Sequence, residues 1–226
     1  HQYSDDIKDK SAYLFAPRTT ERHLPKVFEG MFESGPGKQY MSTLGVVAAY
    51  SVDETPEHGR KLTFHDSGEN PPAGAIITYY LKEKPESKIS LTIKDADGND
   101  VKTFYSIHAD DEGKEDGAKA EDKPKELRIP SNAGWNRFVW DLRYADAERV
   151  TPYNDNQQGF VGGPHAAPGT YQVTLSVGDE SLTESFEVVK EAGVPATQED
   201  LKAQFDLLMK IRDKVSATHK SINQMR

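Results

Sequence analysis

The residues best able to do chemistry are the histidines and carboxylates, and neither set falls into a catalytic spacing. The seven histidines (His1, His23, His58, His65, His108, His165, His219) stand singly, with none at the i, i+4 spacing of a zinc-binding helix. His65-Asp66 is the most suggestive neighbouring pair, but a solvated loop is the better account of it. There is no cysteine, which removes disulfides, thiolate zinc sites and thiol nucleophiles, and no Gly-x-Ser-x-Gly elbow to activate a serine. Asp95-Ala96-Asp97-Gly98-Asn99-Asp100 starts like a calcium loop, but Ser106 stands where the bidentate Glu is needed; a hairpin turn is the simpler reading. Gly159-Phe160-Val161-Gly162-Gly163-Pro164 lacks the Lys-Ser/Thr that would make it a phosphate cradle. Carboxylates are numerous enough for a glycosidase-like pair, yet none sits in a motif. What remains is binding chemistry. Tyr79, Tyr80, Trp135, Trp140, Tyr144, Tyr153 and Phe160 offer rings for stacking on a sugar, and equally for a core.

Those aromatics centre on Gly134–Tyr144, which holds both tryptophans. Phe138, Trp140 and Leu142 alternate with Arg137, Val139, Asp141 and Arg143, the period of a strand buried on one face. Alternation therefore predicts Trp140 in the core. Trp135, flanked by Gly134 and Asn136, falls where the strand begins near the surface.

The elements around this stretch are short strands between turn signals. Ala75–Leu81 follows a Gly/Pro-rich break, and Ile89, Leu91 and Ile93 alternate up to Asp-Gly, after which Val101–Tyr105 returns. Tyr171, Val173, Leu175 and Val177 alternate up to Gly178-Asp179, beyond which Leu182–Val188 continues. Such spacing predicts an all-β sandwich or barrel. Ser11–Arg18 reads as an edge strand ended by Pro17. The first dozen residues read as a frayed arm, 19–42 as a long irregular loop, Leu44–Val52 as a strand or packed loop, and 145–167 as another loop. Residues 108–126, charged or small throughout, cannot bury enough apolar area to order themselves.

After Lys190 the pattern changes. Thr197 with Asp200 three positions on is a helix start, and no Gly or Pro follows to Arg226. Leu201, Leu208, Val215 and Ile222 recur every seven residues, Ile211 takes a companion position and Phe205 widens the stripe. Two readings stand: a dimerisation or hairpin helix that continues beyond the sequence, or a helix lying on the sandwich.

The formal charge of −9 argues against nucleic acid, whose binding relies on neutralised phosphates, and against an anionic membrane surface. No run of about 18 apolar residues is present. Beginning at His1 without a visible signal peptide, the sequence reads as a processed or excised fragment or as one carrying a tag remnant.

Four runs, in order, resemble the C-terminal region of large secreted bacterial β-propeller proteins with BNR/sortilin-like repeats, a glycosyl-hydrolase-like group. They are Gly68–Leu81, Ile93–Phe104, Ala133–Tyr144 and Ala167–Val177; the helix around Gln204–Ile222 is similar too. The resemblance spans about residues 65–226. It implies an immunoglobulin/fibronectin-III-like β-sandwich with long loops and one long C-terminal α-helix. Residues 1–64 would then be an arm and loop with edge strands, 65–190 the sandwich, and 196–226 the helix. It also implies a periplasmic or extracellular setting and a propeller of the same parent protein as partner. No catalytic residue or cofactor carries over. The leading expectation is thus a non-catalytic accessory domain that packs on the propeller and dimerises through Leu201, Phe205, Leu208, Ile211, Val215 and Ile222. The alternatives are a carbohydrate-binding module using Trp135, Tyr144 and Tyr153, and an independent hydrolase with a carboxylate site.

Overall fold

The computed structural model describes residues 4–23, 36–43, 46–66, 68, 72–108, 126–151 and 161–225. In chain order these form β1 (Ala12–Leu14), β2 (Thr20–Arg22), β3 (Gly37–Thr43), β4 (Val46–Glu54), β5 (Arg60–Phe64) and β6 (Ala75–Leu81). There follow β7 (Ser90–Lys94), β8 (Asp100–Tyr105), β9 (Gly134–Trp140), β10 (Gly169–Val177), β11 (Glu180–Lys190) and the helix α1 (Gln198–Met225). The protein is mainly β with one C-terminal helix.

Two sheets share one core. A three-stranded sheet in the order β1-β6-β9 contributes Leu14, Ile77, Tyr79, Leu81, Phe138 and Trp140. A five-stranded sheet in the order β2-β11-β10-β7-β8 answers with Leu91, Ile93, Phe104, Tyr171, Val173, Leu175, Phe186 and Val188. Every second residue of β6 is buried, as a half-buried strand requires. Trp140 has no exposed surface; its ring meets Tyr171 and Phe186, and its Nε1–H donates to the Arg143 carbonyl at 3.0 Å. Apolar burial and a satisfied indole together make it the centre of the core. Gly74 passes so close to the Trp140 carbonyl that a Cβ there would lie 2.2 Å from the oxygen. The alternation read from sequence continues to buried Leu142, but the strand ends at Trp140, and Leu142 itself takes a left-handed φ of 58°.

The turns behave as their residues dictate. Asp95 accepts the N–H groups of Asp97 and Asn99 on one carboxylate oxygen, and Gly98 has φ 82°. This fixes the β7–β8 hairpin. Near the start of β10, the Tyr171 hydroxyl donates to the Ala167 carbonyl four residues upstream, at 2.8 Å.

Several expectations for the first 64 residues need correction. Asp5–Asp9 is a 3-10 turn that buries Ile7 to 1%, so this part of the polar start is anchored by one apolar side chain. Residues 20–22 and 37–43, expected to be irregular, are strands: β2 pairs in parallel with β11, and β3 pairs with β4. With β5 the latter pair forms a separate three-stranded sheet around Ala48, Tyr50 and Val52, so the strand alternative is the one observed for 46–52, while Leu44 and Gly45 lie outside the described residues. β1 lies at the edge of its sheet as its proline predicts. The charged stretch at 109–125 and the run 152–160 lie outside the described residues.

The helix starts with a reciprocal cap: the Asp200 N–H donates to Thr197 Oγ1 at 3.1 Å, and the Thr197 N–H donates to the Asp200 carboxylate at 2.9 Å. The Thr197 N–H and the Thr197 hydroxyl, which donates to the same carboxylate oxygen at 2.8 Å, favour the ionised form of Asp200 and lower its pKa. The helix lies on the sandwich. Leu201 is buried, the Phe205 ring sits 4.8 Å from that of Tyr144, and Met209 packs on the core. Further along, Arg212 donates to the Ala145 carbonyl, Ser216 accepts the Glu148 N–H, and Asn223 bridges Arg149 and Thr151. Positions 201, 205, 209, 212, 216, 219 and 223 advance by fours and threes at the pitch of a straight helix, not by the 3.5 of a supercoil.

Candidate functional site

The outward face of the β1-β6-β9 sheet carries the aromatic groups that the core does not use. Register places Tyr13 opposite Tyr80, and Tyr80 opposite Trp135. Phe15, just past β1, is fixed by its N–H bond to the Thr78 carbonyl at 3.0 Å. The rings form a chain: Tyr13 to Phe15 at 4.7 Å edge-on, Phe15 to Trp135 at 5.3 Å, and Tyr80 to Trp135 at 5.6 Å. Pairs at such separations are worth about 0.5–1.5 kcal/mol each beyond area burial. The cluster therefore holds its shape while Trp135 remains 52% exposed. The Lys10 ammonium lies 4.7 Å over the Tyr13 ring at one end.

Arg137, two residues along the same strand face from Trp135 and paired in register with Thr78, lines two grooves. One of about 630 Å³ runs between the sheet face (Ile76, Thr78) and the connection from β1 to β2 (Phe15–Glu21). The other, about 510 Å³, passes Trp135 and Val139 towards the turn at Thr55–Arg60. Both volumes fall in the range of small-ligand sites. Ring faces, hydroxyl groups and several guanidiniums are what these surfaces present: Arg137 in both grooves, Arg18 in the first, Arg60 and Arg128 in the second.

The stacking residues named from sequence therefore part company. Trp135 is exposed on a groove. Tyr144 is 6% exposed beneath Phe205, and burial pushes its pKa up, so it has no free ring face for a ligand; this corrects its assignment as a stacking residue. Tyr153 lies outside the described residues. Tyr80 stood beside Trp135 among the candidate rings, but Tyr13 and Phe15 were missed, and only their period-two spacing across buried Leu14 hinted at a second aromatic face. Of the helix residues, Leu201 and Phe205 meet the sandwich, Leu208, Ile211 and Val215 line a groove beside it, and Ile222 is half-buried. His65 and Asp66 are both exposed after β5. Among the described residues no three of His, Asp and Glu converge as metal ligands, and no helix is long and apolar enough to cross a membrane.

No protein-family model matches the chain, and no curated protein matches it.

Proposed function

We propose that the chain is a non-catalytic, immunoglobulin/fibronectin-III-like interaction domain of a secreted BNR/sortilin-like propeller protein, and that its aromatic sheet face meets the propeller. The sandwich topology supports the fold. Leaving aside β2 and the separate β3-β4-β5 sheet, the first, second and fifth sandwich strands make one layer and the third, fourth, sixth and seventh the other. That is the partition of a fibronectin-type sandwich. The Tyr171–Ala167 bond supports it further, since a tyrosine near the start of the sixth strand that bonds back to the upstream backbone is a tyrosine corner. The interaction reading rests on one observation: a four-ring aromatic cluster built on a rigid sheet, half-open at Trp135 and bordered by Arg137. Aromatic and arginine side chains dominate the energetics of interfaces.

The test is hydrogen exchange on the parent protein with its propeller, set against this chain alone. Amides of 76–80 and 135–139 should exchange more slowly in the longer protein; equal rates in the two would remove the propeller as partner of this face.

A second reading, carbohydrate binding, is favoured by the exposed Trp135 ring beside a groove with Thr78 and Arg137. Affinity gels containing polysaccharide decide it: retardation lost in Trp135→Ala supports it, and mobility unchanged on every polysaccharide removes it. Dimerisation through α1 is tested by light scattering of the full chain and of a form ending at residue 195. A monomer in both discards it.

A further inference from the structure

Between α1 and the segment following β9 lies a smaller groove of about 230 Å³. Its polar lining includes Arg22, Arg143, His165 and Gln204, and Leu208 and Ile211 form part of an apolar wall. Among the described residues no Asp or Glu lines it, although the chain as a whole carries a formal charge of −9.

The cations in it are poorly answered. Arg22 is only 6% exposed, its Nη2 reaches Gln204 Oε1 at 3.4 Å, and its Nε is buried without a hydrogen-bond partner. Among the described residues it has no ion pair. Burial is the main influence lowering its pKa, and the opposing influence is the Tyr171 phenol, not a carboxylate. Arg143 uses Nη1 on the Gly163 carbonyl at 2.9 Å and likewise has no ion pair among the described residues. His165 Nε2 is a second buried nitrogen without a partner. Burial and the charges of Arg143 and Arg22 hold that imidazole down to about 4, so it sits within their field. Arg212, the remaining cation of the lining, is already paired with Asp213 at 2.7 Å.

A buried guanidinium without a counter-charge is costly, and an orphaned buried polar atom adds to that cost. An anion in the groove would relieve both. A carboxylate suits it better than an inorganic oxyanion, because it matches the guanidinium fork while leaving an apolar remainder for the apolar wall.

We propose that this groove binds a small organic monocarboxylate, its head held by Arg22, Arg143 and His165 and its apolar body laid against Leu208 and Ile211.

The site is independent of the sheet face, so failure of either leaves the other intact. Its test is an NMR titration of the full chain with hexanoate, hexanol and sulfate, following the His165 ring. Hexanoate should shift these signals saturably, hexanol should leave them in place, and sulfate should bind on the order of tenfold more weakly or worse. N-acetyl-leucine, the mimic of a peptide C-terminus, separates the two sources of such a carboxylate: whichever binds tighter identifies the source. Arg22→Met should abolish the hexanoate response while leaving the ligand-free Tm equal or higher, because an unanswered buried charge is gone. Arg143→Gln, nearer to solvent and outside the core, should weaken hexanoate about tenfold or more without unfolding the protein. Equal shifts with hexanol, unchanged affinity in Arg143→Gln, or no saturation through the millimolar range overturn the proposal.

Discussion

β6 and β9 present aromatic residues on both of their faces, and the two faces have opposite fates. Inward, Tyr79, Phe138 and Trp140 are at most 5% exposed. The Trp140 indole and the Tyr79 hydroxyl each find a backbone carbonyl, of Arg143 and Pro130 respectively. Outward, Tyr80 and Trp135 are just as close to one another in register, yet Trp135 keeps 52% of its surface. Residue type does not separate them. What separates them is the layer opposite: the inward rings meet a five-stranded sheet, whereas among the described residues the outward ones meet Tyr13 and Phe15, from a three-residue edge strand and its continuation. Among the described residues the outward aromatics thus stay partly open to solvent.

The sharpest way to break this contrast is to truncate the buried tryptophan. Trp140→Ala should cost about 3–5 kcal/mol, because the cavity opens in the fully buried centre of the core, among Tyr171 and Phe186. Urea unfolding measures it, and a loss under about 1 kcal/mol would mean that the two faces are not energetically distinct.

Alkali probes the same difference without mutation. Burial holds the Tyr171 phenol up to about 12 and raises Tyr79 and Tyr144 further. Since these raised values favour the protonated folded state, their stabilisation is complete below the ordinary tyrosine value of about 10 and declines as pH rises above it. For Tyr171 the loss runs from roughly pH 10 to about 12. Absorbance of phenolate and loss of the folded signal should rise together for the three inward tyrosines; three phenolates appearing in a still-folded protein would contradict their burial.

How much of this was readable from residues alone follows from the range of the interactions. Trp140, Phe138 and the Asp95–Asn99 turn were legible because alternation and turn chemistry are local signals. β2 was not: its three residues are strand only through parallel pairing of Thr20 with Val188, at the far end of the chain. The aromatic face was half-legible. Trp135 stood out by its glycine neighbour, but Phe15 reaches it from some 120 positions away through β1. Tyr144 was misassigned because its cover, Phe205, comes from the helix. The heptad left the packing face of the helix open for a related reason. Leu208, Val215 and Ile222 repeat every seven residues, whereas contact with the sandwich follows Leu201, Phe205, Met209 and Arg212, and only the sandwich selects between stripes.

A milder change tests the hydrogen bonds at the start of β10. Tyr171→Phe keeps the ring against Trp140 and removes the hydroxyl that donates to the Ala167 carbonyl and meets the Tyr144 side chain. Ala167 is a half-exposed residue, but Tyr144 is buried and loses a partner, so the cost should be about 1–2 kcal/mol. A negligible change in Tm would show that these bonds position the ring without stabilising the fold.

The smallest effect on stability should come from the residue with most to say about function. Trp135→Ala removes two ring contacts, to Phe15 and Tyr80, but opens no cavity, since half of the side chain already faces solvent. Stability should fall by no more than about 1 kcal/mol. Binding at the face should fall far more, because a desolvated tryptophan at the centre of an interface typically costs 2 kcal/mol or more when truncated, roughly a thirtyfold change in affinity. The two numbers must therefore diverge. If Trp135→Ala unfolds the protein as Trp140→Ala does, the ring is a structural pillar and the outward face is only the back of a core; if neither stability nor any binding changes, the exposed cluster has no partner.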